Sequence, residues 1–337
     1  MRYFSQNLGN EVSPVEKFDL QDVEKAFERI KPYLRTTPVV ESLFLNSNER
    51  EYFYKLESFQ PVRSFKIRGA LNKILSLTSL EKKKGVVTIS SGNHGIATAY
   101  ASQLLGIEKV EVIVPIGTPN NKIEKIKQFG GQVKQIGKNY DEAHTQGMKY
   151  VEKSGMNYID SYYSDPLIYS GQGTIALELI QQLPLVDTIV IPIGGGSLIT
   201  GIAVAAKSIN PAIRIIGVQT AACPAMIKSI EERKFYEEYP TRDSICESLV
   251  GGIGKLSYEM LPSYVDELIA VDETDIAAAV TFMARKEKII AEPGSCTTIA
   301  AIRKYGEKIG GKTVVAIISG GNIDEQLFYN LLAENKE

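Results

Sequence analysis

The sequence predicts an α/β protein built as two open, mostly parallel α/β lobes, and three features carry that prediction. Short apolar runs alternate with helical patterns, so that strand, loop and helix recur in one order along the chain. The runs are apolar throughout, a pattern expected of strands covered on both faces and therefore of parallel sheets flanked by helices. Glycine-rich turns follow several of these runs, where open α/β sheets bind ligands. Residues 85–163 read as a smaller, mobile lobe with three strands and their helices, and residues 1–84 and 164–337 as the larger lobe.

Taken in order, the first informative stretch puts Lys66 directly after Phe65, at the start of the helical pattern IRGALNKILSL. A lysine in such a position loses solvation, which lowers its pKa and makes its amine a Schiff-base nucleophile. For an isolated lysine the commoner reading is a solvated surface residue, here beside Arg68. The polar segments ESFQP before it and SSGNH after it shift the balance toward a backbone that closes over a ligand. GVVTIS is a β-branched strand leading into the SSGNHG loop and the helical stretch IATAYASQLLG. VEVIVP runs through GTPNN into the amphipathic KIEKIKQF, with Thr118 as the expected N-cap and Pro119 in the first turn.

QVKQIG is a further strand, and DTIVIPI then GGGS then LITGIAVAAK reads as buried strand, tight turn and helix. The 19 uncharged residues at 188–206 are nominally long enough to cross a bilayer, but their proline and glycines argue against a membrane span. The backbone N–H groups of Gly194, Gly195, Gly196, Ser197 and Leu198 can hold a phosphate dianion at the helix start; a plain tight turn is the alternative. Neither common nucleotide spacing fits: Ile199 stands where GxGxxG needs glycine, and Ile202-Ala203 where a P-loop needs Lys and Ser/Thr. IRIIGVQT and KTVVAIISGGN complete the apolar strands.

Composition narrows the function classes. With 38 Lys and Arg against 40 Asp and Glu, the net charge is −2 and no basic patch stands apart, so nucleic acid is not an expected partner. The three cysteines, Cys223, Cys246 and Cys296, form no CxxC pair, which fits a reducing compartment and not a disulfide framework or structural zinc. The opening residues lack a basic then apolar pattern, so a cytoplasmic chain without a secretory signal is expected.

Five segments occur together in one order: KLESFQPVRSFKIRGA, SSGNHG, SGQGTIALEL, GGGSL and SGGNID. This series resembles the pyridoxal-phosphate enzymes of fold type II, and within them the threonine dehydratase and serine racemase group. The resemblance spans residues 37–324, and the Asn-Pro-Gly-Ser and Lys-Asp-Arg theme of the cysteine synthases is absent. It implies pyridoxal 5'-phosphate in the cleft between the lobes, with Lys66 forming the covalent imine and Phe65 packed beside it. It further implies that Asn93 bonds the cofactor's phenolic oxygen and that Gly194, Gly195, Gly196, Ser197 and Leu198 cradle its phosphate. Ser319 would face the pyridine nitrogen. Ser90, Ser91, Gly92, Asn93 and His94 would receive the substrate carboxylate, and Ser91 resembles the second proton donor of the racemases, a plain loop serine being the alternative. The implied activity is L-threonine/L-serine ammonia-lyase, giving a 2-oxo acid and ammonia in a homodimer or homotetramer; a serine racemase or a 3-hydroxyaspartate dehydratase is the alternative.

Departures from the group matter as well. Metal-activated relatives carry an acidic residue where Gln219 stands, and hard cations want carboxylate oxygens, so no divalent cation is expected there. Gly251-Gly252-Ile253-Gly254 departs from the group's Asp-Gly pattern, Glu292-Pro293-Gly294-Ser295 is only similar to its Glu-containing turn, and both are expected near the substrate.

Overall fold

The computed structural model describes residues 16–138 and 140–334. Its first part runs α1 (Leu20–Ile30), β1 (Val39–Glu41), β2 (Glu51–Leu56), α2 (Lys66–Ser76) and α3 (Ser79–Lys84). Next come β3 (Val86–Ile89), α4 (Asn93–Leu104), β4 (Val110–Val114), α5 (Asn120–Gln128), β5 (Gln132–Gln135), α6 (Tyr140–Ser154) and β6 (Asn157–Tyr158). The chain continues through α7 (Pro166–Gln182), β7 (Thr188–Pro192), α8 (Ser197–Ile209), β8 (Arg214–Thr220), α9 (Ala225–Glu231) and α10 (Lys255–Met260). It ends with β9 (Glu267–Val271), α11 (Glu273–Phe282), α12 (Pro293–Ile309), β10 (Thr313–Ile318) and α13 (Glu325–Glu334).

Two sheets result. The larger has the order β1-β2-β10-β7-β8-β9, and the smaller β5-β4-β3-β6. Only β1 pairs antiparallel, against β2; every other neighbour is parallel. Every residue of β3, β4, β7 and β10 is buried, which is why those segments show no alternation. Among the described residues no helix is long and apolar enough to cross a membrane.

The small sheet differs from its reading in having a fourth strand, β6, whose two residues are too few to show any period. The start of α5 differs too. Pro119 is itself the N-cap residue, and the Thr118 hydroxyl donates to the Pro115 carbonyl at 2.8 Å instead of capping the helix.

Parallel register aligns the carboxyl ends that carry the site. Ile318 is level with Leu56, so Ser319 leaves β10 beside the end of β2. Pro192 is level with Val218, which sets the glycine turn beside Gln219 and Thr220. One apolar cluster joins the sheets, running from Val112 through Ile96, Ile67, Leu71 and Ile175 to Ile189 and Ile317. Helices α2, α4 and α7 therefore lie in a shared core between the sheets.

Candidate active site

Lys66 is the first residue of α2, and its position is fixed from both sides. The backbone N–H of Phe65 donates to the Ser319 carbonyl at 3.0 Å, and Ser64 forms a bridge with Gly320. The half-buried ammonium donates to the Ser161 carbonyl at 2.9 Å and stands 5.3 Å from the Phe65 ring centroid and 5.8 Å from that of Tyr162. Burial among these rings lowers its pKa to about 8, against the opposing pull of Asp160 and Glu292.

Residues 160–165 bend around this amine because one side chain holds the bend. The Asp160 carboxylate accepts the backbone N–H groups of Tyr162, Tyr163, Ser164 and Asp165 at 3.1, 2.9, 2.8 and 3.2 Å. The Tyr162 ring is thereby laid on the glycine turn: a Cβ built at Gly195 would come within 2.2 Å of it. Gly196 has φ 98°, a left-handed conformation that favours glycine, and α8 starts there with no side-chain cap. Among the described residues the N–H groups of Gly194, Gly195 and Gly196 have no protein acceptor. Unpaired N–H groups at an uncapped helix start, with Ser197 and Leu198 as its first residues, suit a phosphate dianion.

Helix α4 opens toward the same place. The helical pattern of the sequence starts at Ile96, whereas α4 begins three residues earlier at Asn93, with Gly92 as N-cap and no side-chain cap. Not every backbone N–H of residues 90–94, the loop expected to receive a carboxylate, is free of a protein acceptor. The Ser90 N–H goes to the Ile113 carbonyl and the Gly92 N–H to the Ser90 hydroxyl, leaving the N–H groups of Ser91, Asn93 and His94 unused among the described residues. The His94 ring is buried, with Nε2 3.1 Å from the Ile159 carbonyl, so it ties α4 to the loop that bends around Lys66. Burial, and then the charge of Lys66, bring its pKa down to about 4 and keep it neutral.

Asn93 is gripped at both ends. Its Nδ2 lies 3.1 Å from each carboxylate oxygen of Glu292, and its Oδ1 accepts from Asn322 at 2.7 Å. Glu292 also accepts from the Ser248 hydroxyl and the Asn322 N–H, both at 3.2 Å, and its burial raises its pKa. Ser319 is buried at the end of β10, its hydroxyl 2.9 Å from that of Ser295. Gln219 caps α9 by accepting from the N–H groups of Met226 and Ile227 at 3.0 and 3.1 Å.

The sequence places Glu292 and Ser295 in a turn expected near the substrate without giving either a role, and it does not single out Asp160. Asp160 did carry a signal, an Asp followed by polar and aromatic residues in a loop, as local side-chain capping requires.

Two mostly parallel sheets, a lysine amine of lowered pKa and two uncapped helix starts at strand ends make up an α/β fold with a site suited to a carbonyl compound that carries an anionic group. The model of the pyridoxal-phosphate-dependent enzymes matches residues 30–320, and the chain belongs to that family. It is 37% identical over 315 residues to the L-threonine ammonia-lyase of Thermotoga maritima, covering 93% of this chain and 78% of that protein. It is 38% identical over 315 residues to L-threonine dehydratase catabolic TdcB of Staphylococcus aureus, covering 90% of this chain and 89% of that one. The maize serine racemase structure superposes with a TM-score of 0.86 at 33% identity, covering 94% of this chain and 98% of that one.

Proposed function

We propose that the chain is a pyridoxal-phosphate-dependent L-threonine/L-serine ammonia-lyase, converting a β-hydroxy amino acid to a 2-oxo acid and ammonia. The observation that carries this reading is the 37% identity to an L-threonine ammonia-lyase across 93% of the chain. The site residues supply roles that suit the reaction. Lys66 would hold the cofactor through its amine, from which Phe65 and Tyr162 would keep water. Gly194, Gly195, Gly196, Ser197 and Leu198 receive the phosphate, Asn93 the phenolic oxygen and Ser319 the ring nitrogen.

Bound pyridoxal phosphate supplies an electron sink that acidifies the Cα–H of an amino acid. The backbone N–H groups of Ser91, Asn93 and His94 hold the carboxylate at the start of α4, where the helix dipole favours an anion. Lys66, whose lowered pKa leaves part of it uncharged near neutrality, takes the Cα proton. The Cβ hydroxyl leaves as water, and hydrolysis of the free imine returns one water, so amino acid becomes 2-oxo acid and ammonia in balance.

A second reading, serine racemisation, is favoured by Ser91, whose half-buried hydroxyl has no protein partner among the described residues. Residues 85–163 would then form a small lobe closing over residues 1–84 and 164–337. Exposed Leu43 and Phe44 suit a homodimer or homotetramer, and the three free, buried cysteines suit a cytoplasmic setting.

The test is a panel of L-amino acids assayed for 2-oxo acid, ammonia and the D-enantiomer. Release of 2-oxo acid and ammonia from L-threonine and L-serine is expected, with loss of both in Lys66→Ala. D-Serine without 2-oxo acid would replace the lyase reading with the racemase.

A further inference from the structure

Ser295, at the third position of α12, is fully buried and its hydroxyl meets three partners at once. It lies 2.8 Å from the Gly320 carbonyl, accepts the Gly320 N–H at 2.8 Å, and is 2.9 Å from the Ser319 hydroxyl. A hydroxyl has a single proton to give, so these contacts admit two arrangements. In one, Ser295 donates to the Gly320 carbonyl and Ser319 donates to Ser295, leaving only lone pairs on the outer side of Ser319. In the other, Ser295 donates to Ser319, whose own proton is then free to point into the site. The second takes the Ser295 proton from the Gly320 oxygen, which keeps the Glu292 N–H at 3.1 Å as its donor, and the 2.8 Å contact between the Ser295 and Gly320 oxygens must then lengthen.

We propose that Ser295 is a positioning residue that donates to Ser319 and so keeps the Ser319 hydroxyl a donor toward the cofactor's ring nitrogen. This rests on the reading of Ser319 as the ring-nitrogen partner. The physical advantage is twofold. A chain of two hydroxyls polarises along its length, so Ser319 becomes a better donor than a lone serine. Its rotor is also fixed before the cofactor arrives, which removes an ordering cost from binding. The position has no other charged partner: no carboxylate or cation hydrogen-bonds to Ser295 or Ser319 among the described residues.

A double-mutant cycle on the full-length protein tests this, read as the dissociation constant for pyridoxal phosphate, titrated into resolved protein by visible absorbance, and as the band position of the loaded protein. Ser319→Ala is expected to raise the constant about tenfold, and Ser295→Ala about threefold to fivefold, the scale of a lost buried donor. The double variant is expected to bind no more weakly than Ser319→Ala alone, because Ser295 acts through Ser319. Both single variants should displace the band in the same direction. If the two losses multiply in the double variant, Ser295 has only a structural role and the relay is wrong. If Ser319→Ala changes neither affinity nor band, the reading of Ser319 itself fails, a different result. Should Ser295→Ala fail to fold because the Gly320 N–H loses its acceptor, Ser295→Cys replaces it. Its thiol fills the site as a weak donor and should show the same coupling at smaller size; unchanged affinity and band in a folded Ser295→Cys protein would overturn the proposal.

Discussion

Arg68 grips Glu178 with both terminal nitrogens of its guanidinium, Nη1 to Oε1 at 2.8 Å and Nη2 to Oε2 at 2.9 Å, while Nε and Nη2 hold Glu57 at 2.7 and 2.8 Å. Lys55 completes the group, donating to Glu178 at 2.8 Å, so two cations face two anions with nothing left over. All four residues are buried. The arrangement pins the first turn of α2 to β2 and α7, two residues beyond Lys66, and so fixes the direction from which the lysine enters the site.

Removing Arg68 therefore leaves two buried carboxylates facing one lysine. Arg68→Met is expected to destabilise the fold by about 3–5 kcal/mol, the cost of an uncompensated buried charge. Arg68→Lys keeps the charge but not the planar fork, and should fall between the two. Urea unfolding of the three proteins measures this. An unshifted midpoint in Arg68→Met would mean that the quartet does not hold α2.

The burial of Lys66 sets a pH dependence on imine formation. With the pKa lowered from 10.5 to about 8, about a quarter of the amine is uncharged at pH 7.5, against about a thousandth for an ordinary lysine. The rate of covalent capture of pyridoxal phosphate, fixed by borohydride at timed intervals, is expected to rise from pH 6 and level off above pH 8. Tyr162→Ala opens the amine to water and should move that midpoint upward. A wild-type rate still climbing tenfold per pH unit at pH 9.5 would show an unperturbed lysine.

His94 makes the opposite kind of statement, about stability. Its folded-state pKa is lowered from 6.5 to about 4, so between those values the unfolded chain binds more protons than the folded one and stability rises with pH. The penalty is absent above pH 6.5 and grows as pH falls, reaching on the order of 3 kcal/mol near pH 4. In His94→Gln an amide can still reach the Ile159 carbonyl but does not titrate, so the difference in unfolding free energy between the two proteins should shrink or reverse as pH is lowered. A constant difference from pH 7 to pH 4 would count against a buried neutral histidine.

What could be read from the sequence follows from which interactions are local. β3, β4, β7 and β10 were legible because strands buried on both faces are apolar throughout, and the start of α2 at Lys66 was legible from its helical pattern. β2 was not, since Glu51-Tyr52-Phe53-Tyr54-Lys55-Leu56 carries a buried lysine whose charged partner, Glu178, lies in a distant helix. The glycine turn and SSGNHG announced themselves by composition. Asn93 and Glu292 are 199 residues apart, and no spacing rule links them. Ser295 was legible only as part of a turn expected near the substrate, and its contact with Ser319 was not, because a serine in the first turn of a helix is ordinarily a local cap.

The glycine turn allows the sharpest test, because its constraint comes from a neighbour instead of from backbone strain. A Cβ at Gly195 would stand 2.2 Å from Cδ2 and 2.3 Å from Cγ of Tyr162, far inside contact distance. The ring has little freedom to retreat, since the backbone N–H of Tyr162 is held by Asp160. Gly195→Ala must therefore push the turn away from the ring, spreading the N–H groups that would receive the phosphate. The expected result is a loss of affinity for pyridoxal phosphate of about tenfold to a hundredfold, the range for disturbing charge-assisted hydrogen bonds. Tyr162→Ala removes the obstacle, so Gly195→Ala on that background should cost threefold or less. Equal losses on both backgrounds would mean that the methyl acts on the phosphate directly, and that the Tyr162 ring does not shape the cradle.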